Sequence, residues 1–195
     1  MLRFLRLCSI VFFLAFSPSI ASDGTAVPTG ESIAIRKLVT RRNPGISSEN
    51  ATLIASSLVD TGTQMGVDPK LVAAIISVES GFNHKASYHG ALGLGQLMRG
   101  TALRLGVTDP FSITQNITGT TQYVKNMMDY WAGHPQQTSM ALASYLRGPE
   151  YVRRSKNPLA GRSEAYVNNV MWAYNRILVY RSEVDSAASL SKHLQ

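Results

Sequence analysis

The amino-acid sequence predicts an all-α fold. Apolar residues recur at intervals of three and four along most of the chain, which is the spacing of one face of a helix. Glycine and proline separate these periodic stretches, as expected for helices joined by turns. We find no convincing alternation with a period of two, no internal repeat and no low-complexity block. These observations indicate about seven helices, and a chain of 195 residues is by default one domain.

Residues 1–21 are typical of a secretory signal peptide. Arg3 and Arg6 form the positive start, 7–16 is an apolar run, and Ser-Ile-Ala over 19–21 is a small-x-small cleavage site. The run is too short to span a bilayer comfortably, and an uncleaved anchor is the alternative. We therefore expect a periplasmic or secreted protein with no stable membrane span after cleavage.

The chain is basic, with 19 Lys and Arg against 12 Asp and Glu. Without Arg3 and Arg6 the balance is 17 to 12, or +5. A basic surface suits an anionic polymer such as cell wall, nucleic acid or membrane, and charge alone does not choose among them. Cys8 is the only cysteine and lies in the signal segment, so the mature chain has no thiol for a disulfide, a metal or nucleophilic catalysis.

Residues 22–46 are predicted as a linker followed by a short basic helix that ends at an Asn-Pro-Gly turn. Its cations are most simply a solvated face, with contact to an anionic wall or a partner as the alternative. The main domain is predicted over 47–181 and begins with a helix that Ser47 or Ser48 caps. The inward face of that helix contains Ala51, Ile54, Ala55 and Leu58.

Asp68 caps the helix predicted over 67–80, and Gly81 ends it. This helix contains one charged residue on an apolar face. Glu79 shares an apolar face with Ile76 and sits in the last turn, at the negative pole of the helix. Burial and the helix dipole both raise the pKa of a carboxyl group there, which suits a general acid. The alternative is a solvated Glu at the edge of a helix.

A glycine-rich loop follows Glu79, and the remaining helices are separated by turns. Residues 147–161 are basic and turn-rich. Residues 182–195 lose the helical pattern and are predicted to be a disordered C-terminal tail. The predicted helices after the loop cover 96–105, 117–131, 138–146 and 163–181.

The residues from Glu79 onward match a family signature. They are Glu-Ser-Gly-Phe-Asn over 79–83 and Ser-x-x-Gly-Ala-x-Gly-Leu-x-Gln-Leu-Met over 87–98. This pattern resembles the lytic transglycosylases of the soluble, lysozyme-like type, and further matches extend the resemblance over about 48–177. It implies a lysozyme-like helical domain with a glycan-binding cleft beside the Glu79 helix.

The resemblance also implies a reaction on peptidoglycan glycan strands that needs no cofactor and no metal. Glu79 protonates the β-1,4 glycosidic oxygen between N-acetylmuramic acid and N-acetylglucosamine. Now ionised, it takes a proton from the muramic C6 hydroxyl, whose oxygen closes on C1 to give a 1,6-anhydro end. A hydrolase normally needs a second carboxylate, and we find none, since Asp109 is explained as a turn former and Asp129 as a solvated residue.

Three loop residues carry over by motif position as substrate-binding residues. Ser87 would contact the substrate N-acetyl group, with a simple loop-turn serine as the alternative. Gln96 would line the sugar site. Met98 would pack at the cleft wall, with plain core as the alternative.

Three later residues carry over in the same way. Asn116 matches an Asn-Ile pair that mainly starts a helix and shapes the cleft. Tyr145 matches a tyrosine whose hydroxyl lies near the catalytic Glu, and Tyr166 matches a late tyrosine that closes the cleft. Three departures bear on substrate contacts and rate: Leu146 for Asn, Gly95 for Met and Arg99 for Pro.

Other functions are less consistent with the residues. His84 and His89 lie five apart without a His-Glu-x-x-His motif, so no metal site is predicted. The signal peptide and the lack of an aromatic-basic stripe disfavour nucleic-acid binding. A lysozyme-type hydrolase on the same fold and a catalytically weak wall-binding scaffold stay open. Small members of the family often open the wall locally for a secretion, pilus or flagellar assembly. The resemblance therefore implies local wall opening as the role of this protein and such an assembly as its partner.

Overall fold

The computed structural model describes residues 28–193. The predicted signal peptide and residues 22–27 of the predicted linker lie outside the described residues. Eight helices and three two-residue strands make up this part of the chain, and the all-α class is confirmed. The helices are α1 Gly30–Arg42, α2 Ser48–Met65, α3 Pro69–Glu79, α4 Arg99–Arg104, α5 Ile113–Tyr130, α6 Gln137–Arg147, α7 Pro149–Arg154 and α8 Arg162–His193. The strands are β1 Ser87–Tyr88, β2 Ala91–Leu92 and β3 Leu97–Met98.

Side-chain caps set the starts of α2 and α3. The Ser47 hydroxyl accepts a hydrogen bond from the backbone N–H of Asn50, at 3.1 Å. The Asp68 carboxylate accepts one from the N–H of Lys70, at 2.9 Å. Each cap satisfies a donor that has no partner inside its helix, which explains why the helices begin where they do.

Helix α3 is the centre of the fold. Five consecutive residues, 72–76, are 0% exposed, so the middle of the helix is apolar on every side. It packs between α2, α5 and α8, and it also touches α1. A helix that is buried all round has little freedom to move, and α3 therefore holds its last residue, Glu79, on a rigid support.

Helix α1 belongs to the same core, which corrects the domain boundary predicted at residue 47. Ile35 and Val39 are 0% exposed and lie in one apolar cluster with the α3 residues. The helix packs on α8 and α2. The four cations of this helix made its buried face hard to recognise in the sequence. Arg36 and Arg41 are exposed, as predicted for a solvated face.

Helix α8 continues to His193, so the predicted disordered tail over 182–195 is helical as far as the described residues extend. Side chains after 181 are mostly exposed, which removes the apolar periodicity that would have revealed the helix. Ion pairs contribute instead. Arg181 pairs with Asp185 at 2.9 Å, four residues on, and Glu183 pairs with Lys37 of α1.

Two further differences concern short elements. Helix α7 lies in the region predicted as turns, where Pro149 occupies the first turn and Val152 is buried. Strands β1, β2 and β3 form an antiparallel sheet inside the glycine-rich loop, in that order. Two residues per strand are too few to show alternation. The helix predicted over 96–105 accordingly shortens to α4.

The β1–β2 turn has positive φ at both central residues, 47° at His89 and 84° at Gly90. That combination is the type I′ turn, whose twist matches an antiparallel hairpin.

Between residues 28 and 193, no helix combines the length and apolarity that a membrane crossing requires.

Candidate active site

Glu79 is the last residue of α3 and is half-buried. The Tyr166 hydroxyl of α8 donates a hydrogen bond to its Oε1 atom, at 2.5 Å. The second oxygen, Oε2, accepts no hydrogen bond from residues 28–193. In the same range no buried side-chain oxygen or nitrogen lacks a partner, so Oε2 must reach solvent. One carboxyl oxygen, Oε1, is therefore hydrogen-bonded to the protein, and the other, Oε2, is accessible to solvent or substrate.

Two opposing effects act on the pKa of Glu79. Burial raises the pKa because it disfavours the charged carboxylate, and the Tyr166 hydrogen bond lowers it because it favours that form. Burial is the larger effect, and the pKa of Glu79 is raised above its ordinary value. The carboxyl group thus keeps its proton closer to neutral pH than an exposed Glu would.

Two tyrosines lie close enough to this carboxyl group to be affected by its charge, and a third packs against one of them. Tyr166 is 7% exposed, and burial followed by the charge of Glu79 raises its pKa well above the ordinary value. The same two causes raise the pKa of Tyr145 on α6, whose hydroxyl donates to the Gly95 carbonyl at 2.6 Å. The Tyr123 ring of α5 lies 5.0 Å from the Tyr145 ring. These hydroxyls consequently remain neutral donors at any physiological pH.

The predicted residues Glu79, Tyr145 and Tyr166 are therefore brought together, although they come from three helices. Sequence reasoning missed Tyr123, which lies within the helix predicted over 117–131. The available signal was a phenol hydroxyl on an otherwise apolar face, because a buried Tyr usually needs a polar neighbour.

The sequence places Asn116 among the substrate-binding residues as an element that mainly starts a helix and shapes the cleft. It is 1% exposed. Its Oδ1 accepts from the Gly95 N–H at 2.8 Å, and its Nδ2 donates to the carbonyls of Leu92 and Pro110 at 3.1 and 2.8 Å. These bonds use both amide hydrogens and the amide oxygen. Asn116 thus fastens the glycine-rich loop to the start of α5.

The Gly95 departure from the family pattern follows from packing against α5. A Cβ atom at Gly95 would lie 2.0 Å from the Thr120 hydroxyl oxygen, and Thr120 is 0% exposed. Only glycine fits at that distance. Of the other two departures, Leu146 is half-buried and packs against the main core, while Arg99 is exposed at the start of α4.

Gln96 closes the loop on itself. Its Nε2 donates to the carbonyls of Gly93 and Ala86, at 2.8 and 3.2 Å, and its own φ is 48°. A non-glycine residue in the left-handed region is strained, and strain of this kind is concentrated at functional sites. The Oε1 atom accepts no bond within residues 28–193, so the predicted sugar contact would use that oxygen.

Ser87 and Met98 lie on the small sheet and are exposed. Ser87 pairs with Leu92, and Met98 pairs with Ala91. Met98 is 54% exposed, which excludes the alternative of a core residue and agrees with a place at a cleft wall. Tyr88, which was not predicted, is 71% exposed beside them. Direct sugar contacts for Ser87 and Met98 stay predictions.

The turn after Glu79 is stabilised by hydrogen bonds from residues that are distant in the sequence. Gly81 and Phe82 are both left-handed, with φ of 57° and 65°, and the Phe82 side chain is fully buried. Asn43 Nδ2 donates to the Phe82 carbonyl at 3.2 Å. Arg42 Nη2 donates to the Ser77 carbonyl at 3.2 Å, near the negative end of α3. The end of α1 thus anchors both sides of Glu79.

No second carboxylate of residues 28–193 perturbs Glu79. The Asp109 carboxylate accepts from the Phe111 N–H at 2.9 Å, the geometry of a turn former, and Asp129 is exposed and paired with Lys125 at 3.0 Å. Within the described range, no three His, Cys, Asp or Glu side chains gather where they could hold a metal ion.

A cavity of about 480 Å³ lies between α1 and α2 and includes none of the predicted site residues. Its walls combine apolar side chains such as Ile33, Ala55 and Val59 with polar ones. A half-open pocket of this size suits a compact ligand, whereas a glycan strand needs an extended cleft. The chemistry of Glu79 is therefore the better guide to the site.

Comparison with known proteins identifies the family of the chain. The chain is 38% identical to the "Transglycosylase" of Enterobacteria phage PRD1 over 86 residues, which cover 44% of this chain and 31% of the phage protein. It is 40% identical to the "Membrane-bound lytic murein transglycosylase F" of Desulfosudis oleivorans over 92 residues, or 45% of this chain and 20% of that protein. The aligned part is less than a third of either relative. The family profile described as the Transglycosylase SLT domain matches residues 57–168, more than half of the chain, and the chain therefore belongs to that family.

Proposed function

We propose that the protein is a secreted peptidoglycan lytic transglycosylase in which Glu79 acts first as an acid and then as a base. The observation that carries the proposal is the state of this one carboxyl group. Its pKa is raised, Tyr166 holds Oε1, Oε2 is open, and no other carboxylate of residues 28–193 perturbs it. Family membership supports the reaction class.

In the first step the protonated Oε2 of Glu79 donates its proton to the glycosidic oxygen that joins N-acetylmuramic acid to N-acetylglucosamine. The bond from muramic C1 to that oxygen breaks, and the departing sugar leaves with a free hydroxyl. Tyr166 keeps Oε1 occupied, so the proton resides on the oxygen that faces solvent. Positive charge develops at C1 as the bond breaks.

In the second step the Glu79 carboxylate removes the proton from the muramic C6 hydroxyl. The C6 oxygen bonds to C1 of the same sugar and forms the 1,6-anhydro ring. Glu79 is protonated again, so one turnover consumes no water and no external acid. Because the acid must become a base, a pKa near the working pH serves both steps.

An internal nucleophile explains how one carboxylate is enough. The C6 hydroxyl is already attached to the reacting sugar, and well-oriented intramolecular groups act at effective molarities of roughly 10⁵ M or more. A hydrolase that activates water normally uses a second carboxylate for that purpose. Asp109 and Asp129 have other partners, so the anhydro route is favoured over hydrolysis.

Loop residues supply the sugar contacts in this proposal. Ser87 and Met98 are exposed on the sheet, and the free oxygen of Gln96 lies in the same loop. The predicted signal peptide would deliver the enzyme to the wall. Its role would be local opening of peptidoglycan at an envelope-spanning assembly such as a secretion system, pilus or flagellum.

The test is mass spectrometry of the products formed from purified peptidoglycan by the mature protein. We expect muropeptides with 1,6-anhydro ends from the wild type and their loss in Glu79→Gln. Glu164→Gln, an exposed carboxyl in the first turn of α8, is the matched control and should leave the products unchanged. Reducing ends from the wild type would mean that water attacks, as in a hydrolase. Wall binding without any product would support a scaffold.

A further inference from the structure

Three large apolar side chains of α8 are exposed and lie on one line along the helix. Trp172 is 58% exposed, Val179 is 45% exposed and Leu190 is 66% exposed. Seven residues make about two helical turns and eighteen make about five, so the three side chains project in nearly the same direction over about 27 Å. Single exposed apolar residues are ordinary, whereas an aligned row of them points to an interaction surface. We call this row the apolar stripe.

Cations from two helices flank the apolar stripe. Lys37 Nζ of α1 lies 4.8 Å from the centre of the Tyr180 ring, and the Arg176 guanidinium of α8 lies 5.1 Å from the same centre. Arg42, the last residue of α1, lines the same cavity as Trp172. The seam between α1 and α8 therefore brings positive charge to the side of the stripe.

Glu183 lies among these cations and shows how they cluster. Its hydrogen bond with Lys37, followed by the charges of Lys37, Arg176 and Arg41, lowers the pKa of Glu183. Arg41 is exposed and forms no ion pair with any residue of 28–193. This face thus has four cations to one carboxylate, or a balance of +3, and the cations are Lys37, Arg41, Arg42 and Arg176.

We propose that the apolar stripe and these four cations form a docking face for the surface of an anionic phospholipid bilayer. Helix α8 lies flat on the bilayer, and its three apolar side chains enter the boundary between headgroups and acyl chains. The cations pair with lipid phosphates, and each cation near an anionic leaflet contributes about fivefold to the affinity.

The charge and the spacing of the docking face favour a bilayer over a protein partner. A second copy would bring a balance of +3 against +3, which is repulsive. Another folded protein would need a surface shaped to three side chains spread over about 27 Å of helix. A fluid bilayer surface admits separate side chains without a matching shape, and an anionic one attracts the cations.

This inference goes beyond the proposed function and does not depend on it. Tyr166, which bonds to Glu79, is six residues from Trp172 and therefore projects about 120° away from it around α8. A bilayer on the docking face would lie to the side of the proposed acid. Glu79→Gln should bind vesicles as the wild type does.

The experiment is flotation of the mature protein with vesicles made of equal parts of phosphatidylglycerol and phosphatidylethanolamine. Vesicles of phosphatidylcholine alone are the neutral comparison, and we expect the wild type to float only with the anionic ones. Arg41→Gln combined with Arg176→Gln should lower the partition coefficient on the order of 25-fold. Arg36→Gln combined with Lys156→Gln is the matched control, because it removes two exposed cations that lie outside the docking face, and it should retain the wild-type value.

Two further variants test the apolar stripe. Trp172→Ser combined with Leu190→Ser removes apolar area from exposed positions and should weaken binding by about tenfold or more. Leu103→Ser on α4, where the side chain is 65% exposed, is the control and should bind as the wild type does.

Tryptophan fluorescence reports whether the stripe enters the lipid. The wild-type emission should shift to shorter wavelength on anionic vesicles. Trp172→Phe should lose that shift and still float, because phenylalanine keeps an apolar side chain at this position.

Four results would overturn the inference. The first is a wild type that does not float with anionic vesicles, and the second is an equal loss of binding in the two double charge variants. The third is binding without a fluorescence shift that survives Trp172→Ser with Leu190→Ser, which would show adsorption through charge alone. The fourth is a dimer, seen by light scattering without vesicles, that the same double variant dissociates, which would assign the face to a second copy. A wild type that floats as expected and forms no anhydro ends would contradict only the proposed function.

Discussion

Helix α3 and the loop over 81–98 are neighbours in the chain and differ in almost every physical respect. The middle of α3 is fully buried and carries no polar side chain between 71 and 76. The loop has positive φ at six residues, which are Gly81, Phe82, His89, Gly90, Gly93 and Gln96. Apolar packing holds the helix, whereas the side-chain bonds of Asn116, Gln96 and Tyr145 hold the loop.

The difference shows how the site divides its tasks. The proposed acid belongs to the rigid element, where a displacement of an ångström would cost rate. The proposed sugar contacts belong to the loop, where exposed side chains can follow the shape of a polymer. Damage to the helix core should therefore reduce stability most, and damage to the loop bonds should mainly affect substrate contacts.

The largest expected effect is on the core of α3. Ile76→Ala should lower the free energy of unfolding by about 2–5 kcal/mol, because it leaves a cavity around a fully buried position. Urea denaturation followed by circular dichroism measures this change. Leu53→Ala on α2, where the side chain is 40% exposed, is the control and should cost much less. Equal losses would contradict the view that α3 is the rigid element.

A smaller effect is expected where the loop meets α5. Gly95→Ala places a methyl group about where the Thr120 hydroxyl lies, and overpacking of this kind costs roughly 1–3 kcal/mol. Thr120→Ala removes the obstructing atoms, so the double variant should recover part of the loss. A double-mutant cycle in urea measures the coupling. Strict additivity of the two single changes would show that these residues do not meet.

Glu79 links stability to pH. Since its folded pKa is raised, its protonated form contributes stability that is fully present below the unfolded pKa and is lost as pH rises through the folded pKa. Glu79→Gln should therefore gain stability relative to wild type over that rise, by about 1.4 kcal/mol for each pKa unit. Urea midpoints measured across acid and neutral pH give the comparison, with Glu164→Gln as control. A wild type that gains stability relative to Glu79→Gln as pH rises would contradict the raised pKa.

The smallest expected effect concerns the Tyr166 hydrogen bond, which lowers the pKa of Glu79. In Tyr166→Phe the pKa should rise further, so the alkaline limb on which activity falls should move to higher pH. A pH–rate profile of anhydro-product formation measures the limb. Tyr174→Phe on the same helix is the control, because that hydroxyl bonds to Asp68 at 2.8 Å. A limb that moves to lower pH would show that Tyr166 does not favour the carboxylate.

What could be predicted from sequence was local. The cap of α3 by Asp68, the face shared by Ile76 and Glu79, and the glycine-rich loop all depend on residues within a few positions of one another. What escaped prediction depends on distant partners. Tyr166 meets Glu79 across 87 residues, and Asn43 meets Phe82 across 39. Periodicity marks an inward face but does not say what covers it.

The corrections have the same origin. Helix α1 looked separate because its cations masked a core face that only α8 and α2 reveal. Motif position alone counts Asn116 among the substrate-binding residues, and only the positions of Leu92, Gly95 and Pro110 show which backbone groups its amide bonds to. The end of α8 looked disordered because an exposed helix has no apolar stripe.

The most direct test of the central claim is to digest purified peptidoglycan in water enriched in ¹⁸O and to weigh the new ends. If Glu79 works alone and the C6 hydroxyl is the nucleophile, the new muramic ends are lighter than reducing ends by one water and carry no ¹⁸O. Muramic ends that contain ¹⁸O at C1 would show that solvent is the nucleophile. That result would contradict the account of one carboxyl group acting as acid and then as base.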